Sequence, residues 1–148
     1  MKYIPRILEK TLRQYLGTFP CIGLTGPRQS GKSTMLKKIL AGQYRYVSFD
    51  DHEVVRDFYE DPKRFMRRHA DRVVFDEIQK VPEIFNYVKI AVDEDRQRKG
   101  KFILTGSSQF AFMRTVTESL AGRIGLLSLL PFEYREVPDN VREESIYR

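Results

Sequence analysis

The run "GPRQSGKST", from Gly26 to Thr34, stands between an apolar stretch, "CIGLTG", and a segment in which Met35, Leu36, Ile39 and Leu40 recur at helical spacing before Gly42. Gly26, Gly31, Lys32 and Ser33 satisfy G-x-x-x-x-G-K-[ST], a loop that wraps backbone N–H groups around phosphates. The loop constrains the fold because it needs a buried strand to deliver the chain and a helix to carry it away, N-terminus toward the anion. A Cβ at Gly31 would obstruct the phosphates. Lys32 supplies positive charge, and Ser33 offers a hydroxyl to Mg²⁺. The candidate nucleotide-binding residues are therefore Gly26, Pro27, Arg28, Gln29, Ser30, Gly31, Lys32, Ser33 and Thr34. Arg28 can touch phosphate or face solvent. A chance glycine turn before a helix is the competing reading, and the Lys-Ser pair with both flanks in place argues against it.

The rest of the chain repeats the strand-then-helix rhythm. Ile4, Leu8, Leu12 and Leu16 predict an opening amphipathic helix that ends at Gly17. "YRYVSFDD" reads as a second strand, followed by two short helices, "HEVVRDFYE" and "DPKRFMRRHA". The second of these has Asp61 as its cap and Pro62 in its first turn. "RVVFDE" is a third strand, with a helix predicted from about Pro82 to Arg98 on Ile84, Val88, Ala91 and Val92. "KFILTGSS" is a fourth strand, and Met113, Val116 and Leu120 place a helix before a fifth apolar run, "RIGLLSLLPF". Nearly continuous apolar strands alternating with helices predict an α/β fold, a parallel sheet covered on both faces. Residues 1–130 read as one domain, and the polar, aperiodic stretch 131–148 as a linker or the start of something absent.

Composition narrows the setting. A length of 148 residues with 41% hydrophobic content allows one domain with a proper core. Cys21 is the single cysteine, so neither an internal disulfide nor a thiolate metal site is available, and a reducing cytoplasm is the expected compartment. No stretch approaches the roughly 18 apolar residues of a membrane span, and the N-terminus does not resemble a signal peptide. The formal charge of +6 suits an anionic partner such as nucleotide, nucleic acid or a membrane surface.

Hydrolysis needs more than a phosphate loop. Asp76 ends the third strand, where a carboxylate can hold the Mg²⁺ shell, and Glu77 beside it can orient or deprotonate an attacking water. The alternative is that both acids open the following helix. At the tip of the fourth strand Ser107 is the candidate to sense the γ-phosphate, with Thr105 and Ser108 as alternatives and a plain serine cap as the competing role.

Together "GPRQSGKSTML", "FDDHEVVRDF", "VVFDEIQKVPEIFNYVKIAVD", "KFILTGSSQF" and "SLAGRIGLLSLLPFEYRE" resemble a family of prokaryotic AAA+-like P-loop ATPases. The resemblance runs over nearly the whole chain. It implies a three-layer α/β/α fold, a five-stranded parallel sheet in the order 5-1-4-3-2, ATP with Mg²⁺, and nucleotide-dependent conformational change. Members of the family continue well past the segment matching "LLPFEYRE", so the chain looks like the N-terminal ATPase domain, to be completed by a C-terminal domain or a partner subunit, including another copy of itself. Arg123 in "LAGRI" matches an arginine characteristic of the family. It can act as a finger on a transferring phosphate, in its own or a neighbouring subunit, or tie helix to sheet.

The basic clusters "KRFMRRH" and "RQRKGK" could meet a nucleic-acid backbone, yet solvated helix surface explains each alone, and no helix-turn-helix is complete. His52 and His69 are too separated for a metal site, while Cys21, Phe110, Phe112 and Tyr134 read as packing residues. Three functions remain: an ATPase that drives a partner, a non-catalytic nucleotide switch, and a small-molecule P-loop kinase. An Asp-Glu pair at a strand end fits water as the acceptor better than a small molecule.

Overall fold

The computed structural model describes residues 7–26, 31–106 and 110–129. Five parallel strands, β1 (Cys21–Thr25), β2 (Arg45–Ser48), β3 (Val73–Asp76), β4 (Phe102–Gly106) and β5 (Ile124–Ser128), form one sheet in the order β2-β3-β4-β1-β5. Read from the other edge this is 5-1-4-3-2, the order that the resemblance implies. The chain leaves β1 for the sheet's far edge, returns strand by strand to β4, and crosses β1 to finish at β5.

Period-two alternation divides the strand side chains between two cores. Ile22, Leu24, Val74, Ile103 and Leu127 face α1 (Ile7–Leu16) and α2 (Lys32–Ile39). Cys21, Val47, Val73, Phe75, Phe102 and Leu104 face the opposite layer. That layer contains α3 (His52–Glu60), α4 (Pro62–Arg68), α5 (Ile84–Glu94) and α6 (Phe110–Leu120). Three layers result, as expected of strands that are apolar on both faces. The second core is aromatic at its centre, where Phe75 stacks on Phe49, Phe65 and Phe102 with ring centroids 5.7–6.1 Å apart.

Helix boundaries follow local chemistry. Asp51 and Asp61 each accept a hydrogen bond from a backbone N–H of the helix they cap, and Pro62 opens α4. The helix expected from Pro82 to Arg98 is shorter at both ends. Turn-type bonds around Val81 and Pro82 delay its start. Its end at Glu94 falls in the run Asp93, Glu94, Asp95, where negative side chains meet the negative end of the helix dipole. A single 3₁₀ turn, Ile78–Lys80, separates β3 from α5. Cys21 is fully buried, which pushes its thiol pKa up and agrees with a packing role. Ile4, Tyr134 and the side chains of Phe110 and Phe112 lie outside the described residues, as does the expected linker 131–148. Among the described residues no helix is long and apolar enough to cross a membrane.

One glycine ties the first helix to the sheet. Gly100 has φ +64, donates its N–H to the Phe19 carbonyl at 2.8 Å and accepts from the Tyr44 hydroxyl at 2.5 Å. A Cβ there would lie 2.8 Å from the Leu16 carbonyl oxygen. Gly100→Ala combines left-handed backbone with that clash, so it should lower the unfolding free energy by about 2 kcal/mol in urea titrations.

Candidate nucleotide site

The site is assembled at the C-terminal edge of the sheet, the edge at which open α/β folds bind ligands. Gly31 has φ +87, a left-handed conformation that glycine adopts without steric cost, and it turns the chain from the loop into α2. Lys32 follows as the first residue of the helix, only 5% exposed, with its ammonium on the Gly26 carbonyl at 2.5 Å. Burial holds its pKa below the ordinary lysine value, against the opposing pull of Glu77 and Asp76. A phosphate group would add the compensating charge at that point. Ser33 places its Oγ 2.7 Å from the Tyr46 hydroxyl of β2. Pro27, Arg28, Gln29 and Ser30 lie outside the described residues, so of the loop the structure describes Gly26 and Gly31 to Thr34.

Asp76 ends β3 beside β4, with Ser48 of β2 opposite it in the parallel register. Ser48, Asp76 and Thr105 lie on one face of three adjacent strands, two residues beyond Tyr46, Val74 and Ile103 respectively. The Thr105 hydroxyl donates to Asp76 Oδ1 at 2.6 Å, and the Ser48 hydroxyl donates to Oδ2 at 2.9 Å. Both carboxylate oxygens are thereby oriented. Thr105, fully buried, also accepts the Glu77 N–H at 3.2 Å.

Glu77 does not open a helix with its carboxylate, the alternative role for an acid at this position. It has φ +56, makes no side-chain cap bond, and accepts from Gln79 Nε2 at 2.6 Å through Oε2. A left-handed glutamate costs roughly 1 kcal/mol. The Thr105 bond to its N–H helps to hold it, and the carboxylate, only 8% exposed, acts electrostatically on Lys32. Serine and aspartate oxygens form a hard donor set that suits Mg²⁺. Among the described residues no group of three or more His, Cys, Asp or Glu side chains is placed to hold a metal, so a cation here would draw on serine and aspartate oxygens together with phosphate and water.

Arg123 needs a correction as a finger on its own nucleotide. It precedes β5, whose first residue, Ile124, pairs in register with Cys21 at the start of β1. The phosphate loop leaves the other end of β1, about 15 Å away along the strand. Arg123 instead forms a two-pronged pair with Asp93 of α5, at 2.7 and 3.0 Å, and donates to the Ala121 carbonyl at 3.1 Å. This is the helix-to-sheet tie that the sequence left open, with a carboxylate as its main partner. The pair keeps the Asp93 carboxyl below its ordinary pKa.

Ser107 and Ser108 lie outside the described residues, whereas Thr105, held only as an alternative, is in the network. Tyr46 and Ser48 were missed. Their signal was alternation: in "YRYVSF" every second residue carries a hydroxyl, on the same face as Asp76. Thr105→Val keeps the shape but leaves Asp76 Oδ1 and the Glu77 N–H without this partner. It should lower stability by about 2 kcal/mol in chemical denaturation. Arg123→Ala should leave the nucleotide affinity of the isolated subunit within about twofold, since fewer than 0.5 kcal/mol of coupling is expected at such separation.

Comparison with known proteins agrees with the fold. The AAA domain family matches residues 18–138. An uncharacterized protein of Mycobacterium bovis and one of Mycobacterium tuberculosis are each 31% identical over 127 residues, 85% of this chain. The chain spans 28% of the length of each of these relatives. With a five-stranded parallel sheet of three-layer α/β type and a family match over most of its length, the chain belongs to the AAA domain family of nucleotide-binding ATPase domains.

Proposed function

We propose that this domain binds ATP with Mg²⁺ and hydrolyses it, using the change in nucleotide state to act on a partner. The observation that carries this reading is Glu77: a buried carboxylate held in an unfavourable backbone conformation beside the metal-type aspartate and electrostatically coupled to Lys32. Strain of this kind concentrates at functional sites.

In this mechanism the loop backbone and Lys32 hold the β- and γ-phosphates, and the α2 dipole favours their negative charge. Ser33 and Asp76 hold Mg²⁺, which when bound neutralises charge that develops on the phosphate oxygens. Glu77 takes the proton of the attacking water, and its hydrogen bond with Gln79 limits the carboxylate's rotation. Thr105 joins the two acids, so Asp76 and Glu77 keep a fixed relation during turnover. Arg123 can act on a transferring phosphate only from a neighbouring subunit.

The binding of DNA has weaker support. In the second basic cluster Arg98 pairs with Asp71 and Arg96 with Asp93. In the first, Phe65 is buried and Lys63, Arg64, Arg67 and Arg68 are exposed, which makes α4 the surface to test.

Phosphate release from Mg²⁺-ATP, measured with and without duplex DNA, tests the proposal. Glu77→Gln should retain nucleotide binding and lose about 10²–10⁴-fold in turnover. Lys32→Ala should weaken binding at least tenfold, the equivalent of roughly 1.4 kcal/mol. Binding without turnover in the wild-type chain would replace hydrolysis with a nucleotide-operated switch, and phosphate transfer only to an added small-molecule acceptor would make it a kinase.

A further inference from the structure

In a parallel sheet every strand starts at the same edge, so the residues that lead into the strands form one row at a spacing of about 4.8 Å. Here the row lies at the edge opposite the phosphate loop. Arg45 opens β2 and pairs in register with Val73, and the same line runs on through Phe102, Cys21 and Ile124. Arg72, Lys101 and Arg123 directly precede β3, β4 and β5, so every strand but β1 starts on a cation or just after one. From β2 to β5 the row spans about 20 Å, the axial length over which one strand of B-DNA presents about six phosphates.

The charge of the chain is concentrated at this edge. Segments 62–72 and 93–101, which lead into β3 and β4, contain together with Arg45 and Arg123 11 of the 26 Lys and Arg and only 4 of the 20 Asp and Glu. That surplus of 7 exceeds the +6 of the whole chain, so the remainder is close to neutral. Two of the four acids are already neutralised, Asp71 by Arg98 and Asp93 by Arg123 and Arg96. The other two, Glu94 and Asp95, lie at the end of α5.

Neutral groups hold the remaining cations. Arg45 Nη1 donates to the Arg68 carbonyl at 3.0 Å, and Lys101 Nζ donates to the Ala91 carbonyl at 3.0 Å. The Arg72 guanidinium carbon lies 5.9 Å from the centroid of the Tyr44 ring. A carbonyl or a ring fixes a cation without cancelling its charge, and among the described residues no acidic side chain forms an ion pair with Arg45, Arg68, Arg72 or Lys101. Helix dipoles account for Arg67 and Arg68, in the last turn of α4. They do not account for Arg45, Arg72 and Lys101, which stand at strand starts.

We propose that the N-terminal edge of the sheet is a nucleic-acid-binding surface, with Arg45, Arg68, Arg72 and Lys101 on the sugar–phosphate backbone. A regularly spaced row of cations suits a linear polyanion, and the planar fork of arginine suits phosphate oxygens. Contacts of this kind position a protein on the backbone without reading base sequence. The surface lies a strand's length from Lys32 and Asp76, so it goes beyond the hydrolysis reading and does not depend on turnover.

The test is fluorescence anisotropy of the intact chain with a labelled duplex of about 20 base pairs, one of its strands alone, and labelled poly-glutamate, at salt from about 50 to about 200 mM. Four phosphate contacts should make duplex affinity fall about 10²-fold over that range. Arg45→Gln, Arg68→Gln and Arg72→Gln should each lower the log–log salt slope by about one. Arg56→Gln and Arg114→Gln remove exposed arginines one turn into α3 and α6, helices that leave the opposite edge, and should stay within about twofold of wild type. Tighter binding of the single strand than of the duplex supports the same surface and makes single-stranded nucleic acid the partner. No binding at the lowest salt overturns the proposal, and so does an equal loss in the Arg56 and Arg114 variants. Poly-glutamate that binds as tightly as the duplex also overturns it, because the edge would then take acidic protein segments. If the edge variants do not fold, the wild type decides: duplex should protect Lys99 and Lys101 from acetylation and leave Lys10 of α1 reactive. Absence of protection, or equal protection of all three lysines, overturns the proposal.

Discussion

The Asp76 carboxylate is the point to which the rest of the site is referred. Thr105 and Ser48 grip one oxygen each, from the strands on either side, so β2, β3 and β4 share a single polar cluster at their C-terminal ends. A carboxylate at a sheet edge is costly to hold without partners, and hydroxyls on adjacent strands satisfy it without adding charge. The same threonine holds the Glu77 N–H, which couples the metal-type acid to the candidate base through one side chain. The register of a parallel sheet determines these distances: a one-residue slip of β4 would turn Thr105 toward the aromatic core.

The two faces of the sheet carry different tasks. The layer of α3 to α6 buries Phe49, Phe58, Phe65, Phe75 and Phe102 and makes a large dry support. The α1/α2 face carries the Asp76–Thr105 polar cluster near its C-terminal edge and aliphatic packing elsewhere. α2 begins with Lys32 and Ser33 and packs Met35, Leu36 and Ile39 against Ile22 and Leu24. The helix that leaves the phosphate loop is therefore seated on one aliphatic core, while the aromatic core lies behind the sheet. The Arg123–Asp93 pair braces the opposite end, between α5 and the turn before β5, which explains a conspicuous arginine without assigning it to its own nucleotide.

The sequence by itself determined the strand-and-helix rhythm, the phosphate-loop motif, the Asp76–Glu77 pair and the start of α4, with Asp61 as its cap and Pro62 in its first turn. Each depends on spacing within a few residues, where backbone period and turn chemistry dominate. The strand order followed from motif resemblance, because apolar strands in sequence do not state their neighbours. Only the tertiary structure decided which hydroxyls meet the acids. Thr105 meets Asp76 across 29 positions, Ser48 across 28, and Tyr46 meets Ser33 across 13. It also decided that Arg123 faces Asp93, 30 positions away, and that Glu77 precedes the 3₁₀ turn with a left-handed backbone and no capping bond from its carboxylate. These are contacts between residues far apart in the chain, created by sheet register and strand crossing, and no local pattern of residues encodes them.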